Sequence, residues 1–208
     1  KDNHNYYICS QQINLMPITH KIENEEVSIL VWEITETLEE LLYLYGNINT
    51  TNYTSEKRKK EHLISPLMVN EICPTKTIIY NEFGAPELNN GKHISISHSK
   101  ELVSVILSDK KTGLDIQQIS EKSLLLASKF VSKKNLIKLN KEKATLIWCI
   151  KEAIYKWHQK GGVDFIKDII IPEFVAKKHG KVIAYFRAKE LNLNYLKINN
   201  HYLVYVCN

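Results

Sequence analysis

The segment from His93 to Ile119 limits the fold most strongly: HISISHS, LVSVILS and GLDIQQI follow one another, joined only by the tight turns SKE and DKKTG. Connections this short join antiparallel neighbours and leave no room for a crossover, so the runs predict a β-meander. A small sheet of this kind needs a helix to cover its apolar face. Upstream, VSILVWEI (27–34) reads as a strand and TETLEELLYLYG (35–46) as a helix with a Thr cap and a closing Gly46. SEKRKKEHL (55–63) opens a basic helix capped by Ser55 and interrupted or kinked at Pro66. TIIYNEF reads as a further strand and GAPELNNGK as a turn.

Downstream, helices over about 121–139 and 142–159 end at Gly161–Gly162. DIIIPEF, KVIAYFRA and HYLVYVC then predict a second antiparallel meander. Helices followed by a meander thus occur twice. The expected fold class is α+β, with two similar halves (pseudo-two-fold), each a small antiparallel sheet with packed helices. The halves divide near residue 105, as 1–105 and 106–208, with no low-complexity linker between them.

At 208 residues the chain can bury roughly 70% of its unfolded surface. Hydrophobic content of 44% and charged content of 25% are those of a soluble globular protein. The net charge of +5 suits acidic partners or phosphorylated ligands without demanding nucleic acid. KRKK (57–60) lacks interleaved aromatics and reads as a solvated face, so no nucleic-acid partner is expected. Cys9, Cys73, Cys149 and Cys207 lie far apart with no CxxC pair. Neither a zinc site nor a disulfide framework is expected, and a reducing, cytoplasmic location follows. No apolar run approaches the ~18 residues that span a bilayer, and KDNHNYYICS has no signal-peptide core. No membrane association is expected. The sequons at 49–51 and 52–54 read as chance matches in a cytosolic protein.

TLIWCIKEAIYKW (145–157) sets charges inside an apolar run. At helical spacing Leu146, Ile150, Ala153, Ile154 and Trp157 form one stripe, to be buried. Trp148, Lys151, Glu152, Tyr155 and Lys156 form the other. That face is either solvated, with a Glu152–Lys156 pair worth about 0.2–0.5 kcal/mol, or the wall of a site. In HISISHS, Ser97, His98 and Ser99 end a strand, where hydroxyl, imidazole and freed N–H groups can hold a phosphate, or simply make a polar strand end. In GLDIQQI, Leu114 and Ile116 point to one face and Asp115 and Gln117 to the other, as a solvated face or as metal ligands.

Taken together, FGAP, SISHS, GLDI and WCIKEAIYK resemble the 4′-phosphopantetheinyl transferases of the Sfp type, within the holo-carrier-protein synthases. G-x-D followed by W-x-x-K-E-A-x-x-K is a specific pattern, and the preceding SxSHS sharpens it. The resemblance runs from the basic helix at 55–63 to the end of the helix at 160; the first fifty and last forty residues match in architecture only.

The resemblance implies transfer of the phosphopantetheine arm of coenzyme A to a serine of an acyl or peptidyl carrier protein, with release of 3′,5′-ADP. It implies Mg²⁺ held by Asp115 and Glu152, with Gln117 at the third position, in an active site between the halves. Glu152, or a metal-bound water, accepts the serine proton, and Lys156 grips the pyrophosphate with support from Lys151. Ser97 and His98 match phosphate contacts. Lys57 and Lys60 match residues that hold the 3′-phosphate, and Gly84 and Pro86 sit where the family binds adenine. Trp148 reads as a packing anchor.

The match departs from the family at Gln117 and Asn135, amides where acids are common, at Ala85 in place of a lysine, and at Pro66, where a basic residue is frequent. The alternative function is accordingly a catalytically impaired relative that binds coenzyme A or a carrier protein. The lysines of SKKNLIKLNKEK (132–143), set around Leu136, Ile137 and Leu139, are expected with LLLASKF to dock an acidic carrier. A monomer is expected, because both halves lie in one chain.

Overall fold

The computed structural model describes residues 17–45, 50, 52–74, 77–89, 91–137 and 139–208. Cys9, Gly46, Asn49, Thr51 and Lys138 lie outside the described residues. The first described elements are strands β1 (Ile18–Glu23) and β2 (Val27–Glu33), then helices α1 (Leu38–Tyr45) and α2 (Glu56–Ile72). A hairpin of β3 (Ile78–Tyr80) and β4 (Pro86–Leu88) leads to β5 (His93–Ser99), β6 (Leu102–Ser108) and β7 (Thr112–Gln118). Next come α3 (Glu121–Leu125), α4 (Lys141–His158), β8 (Ile169–Ile170), β9 (His179–Phe186), β10 (Lys189–Ile198) and β11 (His201–Cys207).

The strands form one antiparallel sheet in the order β1-β2-β6-β5 and another in the order β7-β11-β10-β9-β8, so the class is mixed α+β. Strand alternation sorts the side chains between cores. Leu30 and Trp32 of β2 and Val103, Val105 and Leu107 of β6 meet Leu63, Ile64, Met68 and Val69 of α2. Val27, Ile29 and Val31, with Leu102 and Ile106, face the other way onto Leu114 and Ile116 of β7 and Leu203 of β11. Tyr202, Val204 and Val206 of β11 then meet Leu146, Ile150, Ala153 and Ile154 of α4. The protein is therefore layered helix, sheet, sheet, helix. The stripe predicted for burial on 145–157 is the one that α4 buries.

The structure differs from the sequence-based expectations in several places. The 93–119 segment is not a three-strand meander: β6 already has β2 and β5 on its two edges, so β7 crosses to the second sheet and pairs with β11. The chain changes sheet at 109–111, three residues beyond the end of the fully buried β6. Pro66 does not end α2, which continues to Ile72 because its buried face spans the proline from Leu63 to Val69. GAPELNNGK is only partly a turn, since β4 lies inside it and pairs with β3.

The helix expected over 121–139 is reduced to α3 and the single 3₁₀ turns 127–129 and 133–135. This segment is held by Ala127, Phe130 and Val131 in a small core with Ile147, while Leu125 and Ile137 remain 81% and 85% exposed. α4 stops at Gln159, which takes the left-handed conformation (φ 63°), ahead of the expected Gly161–Gly162. Within DIIIPEF only Ile169–Ile170 is a strand. β1 and β10 were not expected; β10 is a central strand whose Leu191, Leu193 and Tyr195 alternate inward. No helix among the described residues is long and apolar enough to cross a membrane.

Candidate active site

The site is built where α4 lies on β7, and Gly113 makes that approach possible. A Cβ at Gly113 would collide with the backbone O of Ala153 and N of Trp157, and would stand 2.8 Å from Trp157 Cα. With no side chain there, the helix backbone rests on the strand, and Glu152 and Lys156 come over Asp115, two residues further along β7. Asp115 is 1% exposed. Its Oδ1 accepts hydrogen bonds from Ser97 Oγ (2.7 Å) and Lys156 Nζ (2.8 Å), and its Oδ2 accepts from Gln117 Nε2 (3.0 Å). Beneath it, the Cys149 thiol donates to the Asp115 and Tyr202 carbonyls at 3.2 and 3.4 Å. Burial pushes that thiol well up, so Cys149 is a packing group and not a nucleophile.

The alternating serines of HISISHS join the two sheets. Ser95, Ser97 and Ser99 each accept a backbone N–H from β7, from Leu114 (3.0 Å), Ile116 (3.2 Å) and Gln118 (2.9 Å). Side-chain oxygens here replace the carbonyls of a strand ladder, and Ser97 alone of the three also donates to a carboxylate. Its hydroxyl is thereby committed to Asp115.

Glu152 stands beside this carboxylate. Burial, then the charge of Asp115, lift its pKa to about 7 against the opposing pull of Lys156. The carboxylates of Asp115 and Glu152, with the Gln117 side-chain carbonyl close by, offer oxygen ligands of the kind a hard cation such as Mg²⁺ takes alongside several waters. Among the described residues, no group of three or more His, Cys, Asp or Glu could hold a metal. The protein's share of such a site would be Asp115, Glu152 and Gln117.

A basic cluster from α2 adjoins the pair. His98 Nε2 lies 2.8 Å from Arg58 Nη1, and Nδ1 lies 3.4 Å from Glu61 Oε1. Burial holds the His98 pKa below its ordinary value; Glu61 opposes this, and the charges of Arg58, Lys156 and Lys57 add to it. Lys57, His98, Ser97, Asp115, Glu152 and Lys156 are thus brought together. Lys60 pairs instead with Glu56, 3.0 Å away. Gly84 (φ +76°) and Pro86 lie on the β3–β4 hairpin, whose turn is held by Asn81 Oδ1 accepting from Phe83 and Ala85.

Lys151 is placed apart. It is 5% exposed, and its ammonium donates to the carbonyls of Phe165 and, at 2.6 Å, Ile169. Burial lowers its pKa to about 8. It borders a cleft of about 660 Å³ whose walls include Ile147, Ile169 and Phe174 but none of Asp115, Glu152 or Lys156. A larger cleft of about 1210 Å³ is lined by Gln117, Lys100, Phe130, Trp148 and Phe165. Trp148 anchors its wall, with ring centroids 4.9 Å from Phe130 and 5.5 Å from Phe165. Sequence reasoning missed Arg58 and Glu61. The available signal was their i,i+3 spacing within a basic run, which puts them on one helix face.

No family model matches the chain. It is similar to the 4′-phosphopantetheinyl transferase gsp of Aneurinibacillus migulanus, with 26% identity over 155 residues. That match takes in 69% of this chain and 64% of the relative, so the chain spans just under two thirds of the protein it resembles.

Proposed function

We propose that this protein is a 4′-phosphopantetheinyl transferase of the Sfp type, which moves the phosphopantetheine arm of coenzyme A to a serine of an acyl or peptidyl carrier protein and releases 3′,5′-ADP. One observation carries the reading: Asp115, Glu152 and Lys156, from a strand and a helix apart in sequence, lie close together with Asp115 buried at the centre, beside Lys57, Arg58 and His98. A carboxylate pair next to a cationic cluster suits a diphosphate with a bound cation better than either would alone. The similarity to a named transferase supports the same conclusion. In this reading the two helix–sheet units are the pseudo-two-fold halves, one holding phosphate and the other the carboxylates.

In the reaction the carrier serine oxygen bonds to the β-phosphorus of coenzyme A while the bridging P–O bond to the α-phosphate breaks. Glu152, with a pKa near neutrality, can take the serine proton at pH 7. Lys156 faces the charge that grows on the leaving phosphate, and Ser97 with Lys156 fixes the Asp115 carboxylate. Mg²⁺, when held by Asp115 and Glu152, supplies Lewis-acid neutralisation of the diphosphate. The amides Gln117 and Asn135 favour the second reading, a relative that binds coenzyme A or a carrier without modifying it.

Incubation with coenzyme A, Mg²⁺ and an apo-carrier protein, read by intact mass of the carrier, separates the two. Transfer is expected, and Asp115→Asn should slow it about 10²–10³-fold without loss of fold. Undiminished turnover in EDTA would overturn the metal assignment, and binding without any mass gain would leave the binding module.

A further inference from the structure

Glu61 is 3% exposed, and its Oε1 is a buried carboxylate oxygen without a hydrogen-bond partner. That oxygen faces His98 Nδ1 at 3.4 Å and Lys57 Nζ at 3.7 Å, while Oε2 accepts from Arg58 Nη1 at 3.2 Å. The same Nη1 lies 2.8 Å from Nε2 on the far side of the His98 ring. A guanidinium has donors only, so Nε2 must be the acceptor, and the neutral ring carries its proton on Nδ1, toward Glu61. Arg58 is thus occupied by a neutral imidazole, although its planar fork suits a phosphate better. When an anion draws Arg58 away, Nε2 is left with a lone pair facing negative charge. An N–H at that position turns repulsion into a hydrogen bond.

We propose that Arg58, His98 and Glu61 form a proton-coupled phosphate subsite: the arriving phosphate takes Arg58 from His98, one solvent proton moves onto Nε2, and Glu61 accepts from Nδ1–H. Glu61 acts through His98 and is a positioning residue: its Oε1 faces the Nδ1–H of the ring at 3.4 Å in either state, and its negative charge favours the ring once Nε2 is protonated. The proposal deepens the reading of this cleft as a coenzyme A site and rests on it. The charges acting on the ring are Lys57, Arg58 and Glu61 from α2 and Lys156 from α4. Without ligand, three cations oppose a fourth. With a phosphate neutralising them, Glu61 decides the balance.

The test is calorimetric titration of the full chain with coenzyme A at pH 7.5, in buffers of different ionisation enthalpy. The wild type should take up on the order of one proton per coenzyme A bound, since bound and free states differ in the charge of one group. His98→Gln should lose that uptake. Glu61→Gln, which keeps the side-chain shape, should bind about 10-fold more weakly and lose most of the uptake; a melting curve checks its fold. Binding without proton uptake by the wild type, or unchanged uptake in Glu61→Gln, overturns the proposal and leaves the coenzyme A reading intact. If coenzyme A does not bind at all, that reading fails. The same comparison of wild type, His98→Gln and Glu61→Gln with inorganic pyrophosphate then decides the subsite by itself, with uptake confined to the wild type supporting it and no difference between the three overturning it.

Discussion

Both long helices carry a charged side chain into the protein, Glu61 on α2 and Lys151 on α4, at 3% and 5% exposure. The two charges are treated differently. The Lys151 ammonium is spent on the Phe165 and Ile169 carbonyls and ties the chain after α4 to the helix. Glu61 keeps one oxygen without a hydrogen bond, behind a histidine that faces the cationic cluster. A buried charge is costly unless paired, so the completed pair reads as architecture and the incomplete one as part of a binding site. In the proposed function the chemistry on α4 falls instead to Glu152 and Lys156, which stand near Asp115 of β7.

The largest effect should come from breaking the seat of α4. Gly113→Ala puts a methyl group into the backbone at Ala153 and Trp157, and overpacking against backbone should cost about 3 kcal/mol or more. Thermal melts should fall by about 6–12 °C, with transfer lost as Glu152 and Lys156 are lifted from Asp115. The α2 side should keep its geometry, which the chemical shifts of the His98 ring would report. A variant with unchanged melting and activity would mean that α4 does not rest on β7 as described.

Next is Lys151→Met, which keeps the stem and removes the tie. Leaving the Phe165 and Ile169 carbonyls unpaired should cost about 1–3 kcal/mol. The rate per folded molecule should fall far less than in Asp115→Asn, because Lys151 lies outside the carboxylate cluster. A loss as large as that of Asp115→Asn would move Lys151 back among the pyrophosphate ligands. Its pH dependence has a definite sign. The folded pKa is about 8 against an ordinary value of 10.5, so between these the unfolded chain binds more protons. This group's contribution to stability therefore rises with pH from about 8 to 10.5, and its charging cost is fully present below pH 8. The melting difference between wild type and Lys151→Met should widen from pH 7.5 to 9.5.

The same contrast between local and distant causes explains what could be read from residues alone. The apolar, β-branched runs at 27–33, 102–108 and 201–207 marked three strands correctly, because such runs are largely buried wherever they lie. The partner of β7 was hidden: it is β11, met 89 residues later where Asp115 lies opposite Val204, and pairing depends on which edges other strands leave free. β10 was missed because Asn192 and Asn194, poor strand formers, separate its inward leucines. Motif spelling picked out Asp115, Glu152 and Lys156, and the fold puts Lys156 2.8 Å from Asp115 with Glu152 close to both. Glu61 was not, since an acid within EKRKKEH looks like a surface ion-pair residue until the tertiary fold buries it.

The finest comparison sets Ser97 against Ser95, two buried serines on one strand that each accept an N–H from β7. Ser95→Ala and Ser97→Ala both strand one buried N–H, of Leu114 and Ile116 respectively, and each should cost about 1–2 kcal/mol. Their melting shifts should therefore be alike. Activity should separate them. Only Ser97 also donates to Asp115 Oδ1, so its loss removes one of three hydrogen bonds that hold the carboxylate, the others coming from Lys156 and Gln117. A loss of about 10-fold in kcat/KM is expected for Ser97→Ala, the size of one hydrogen bond to a charged group, and none for Ser95→Ala. Equal activity in the two variants would mean that the serine ladder only fastens the sheets and that Asp115 is oriented by Lys156 and Gln117 alone. Equal losses would place the sensitivity in the β5–β7 seam itself, not in the Asp115 carboxylate.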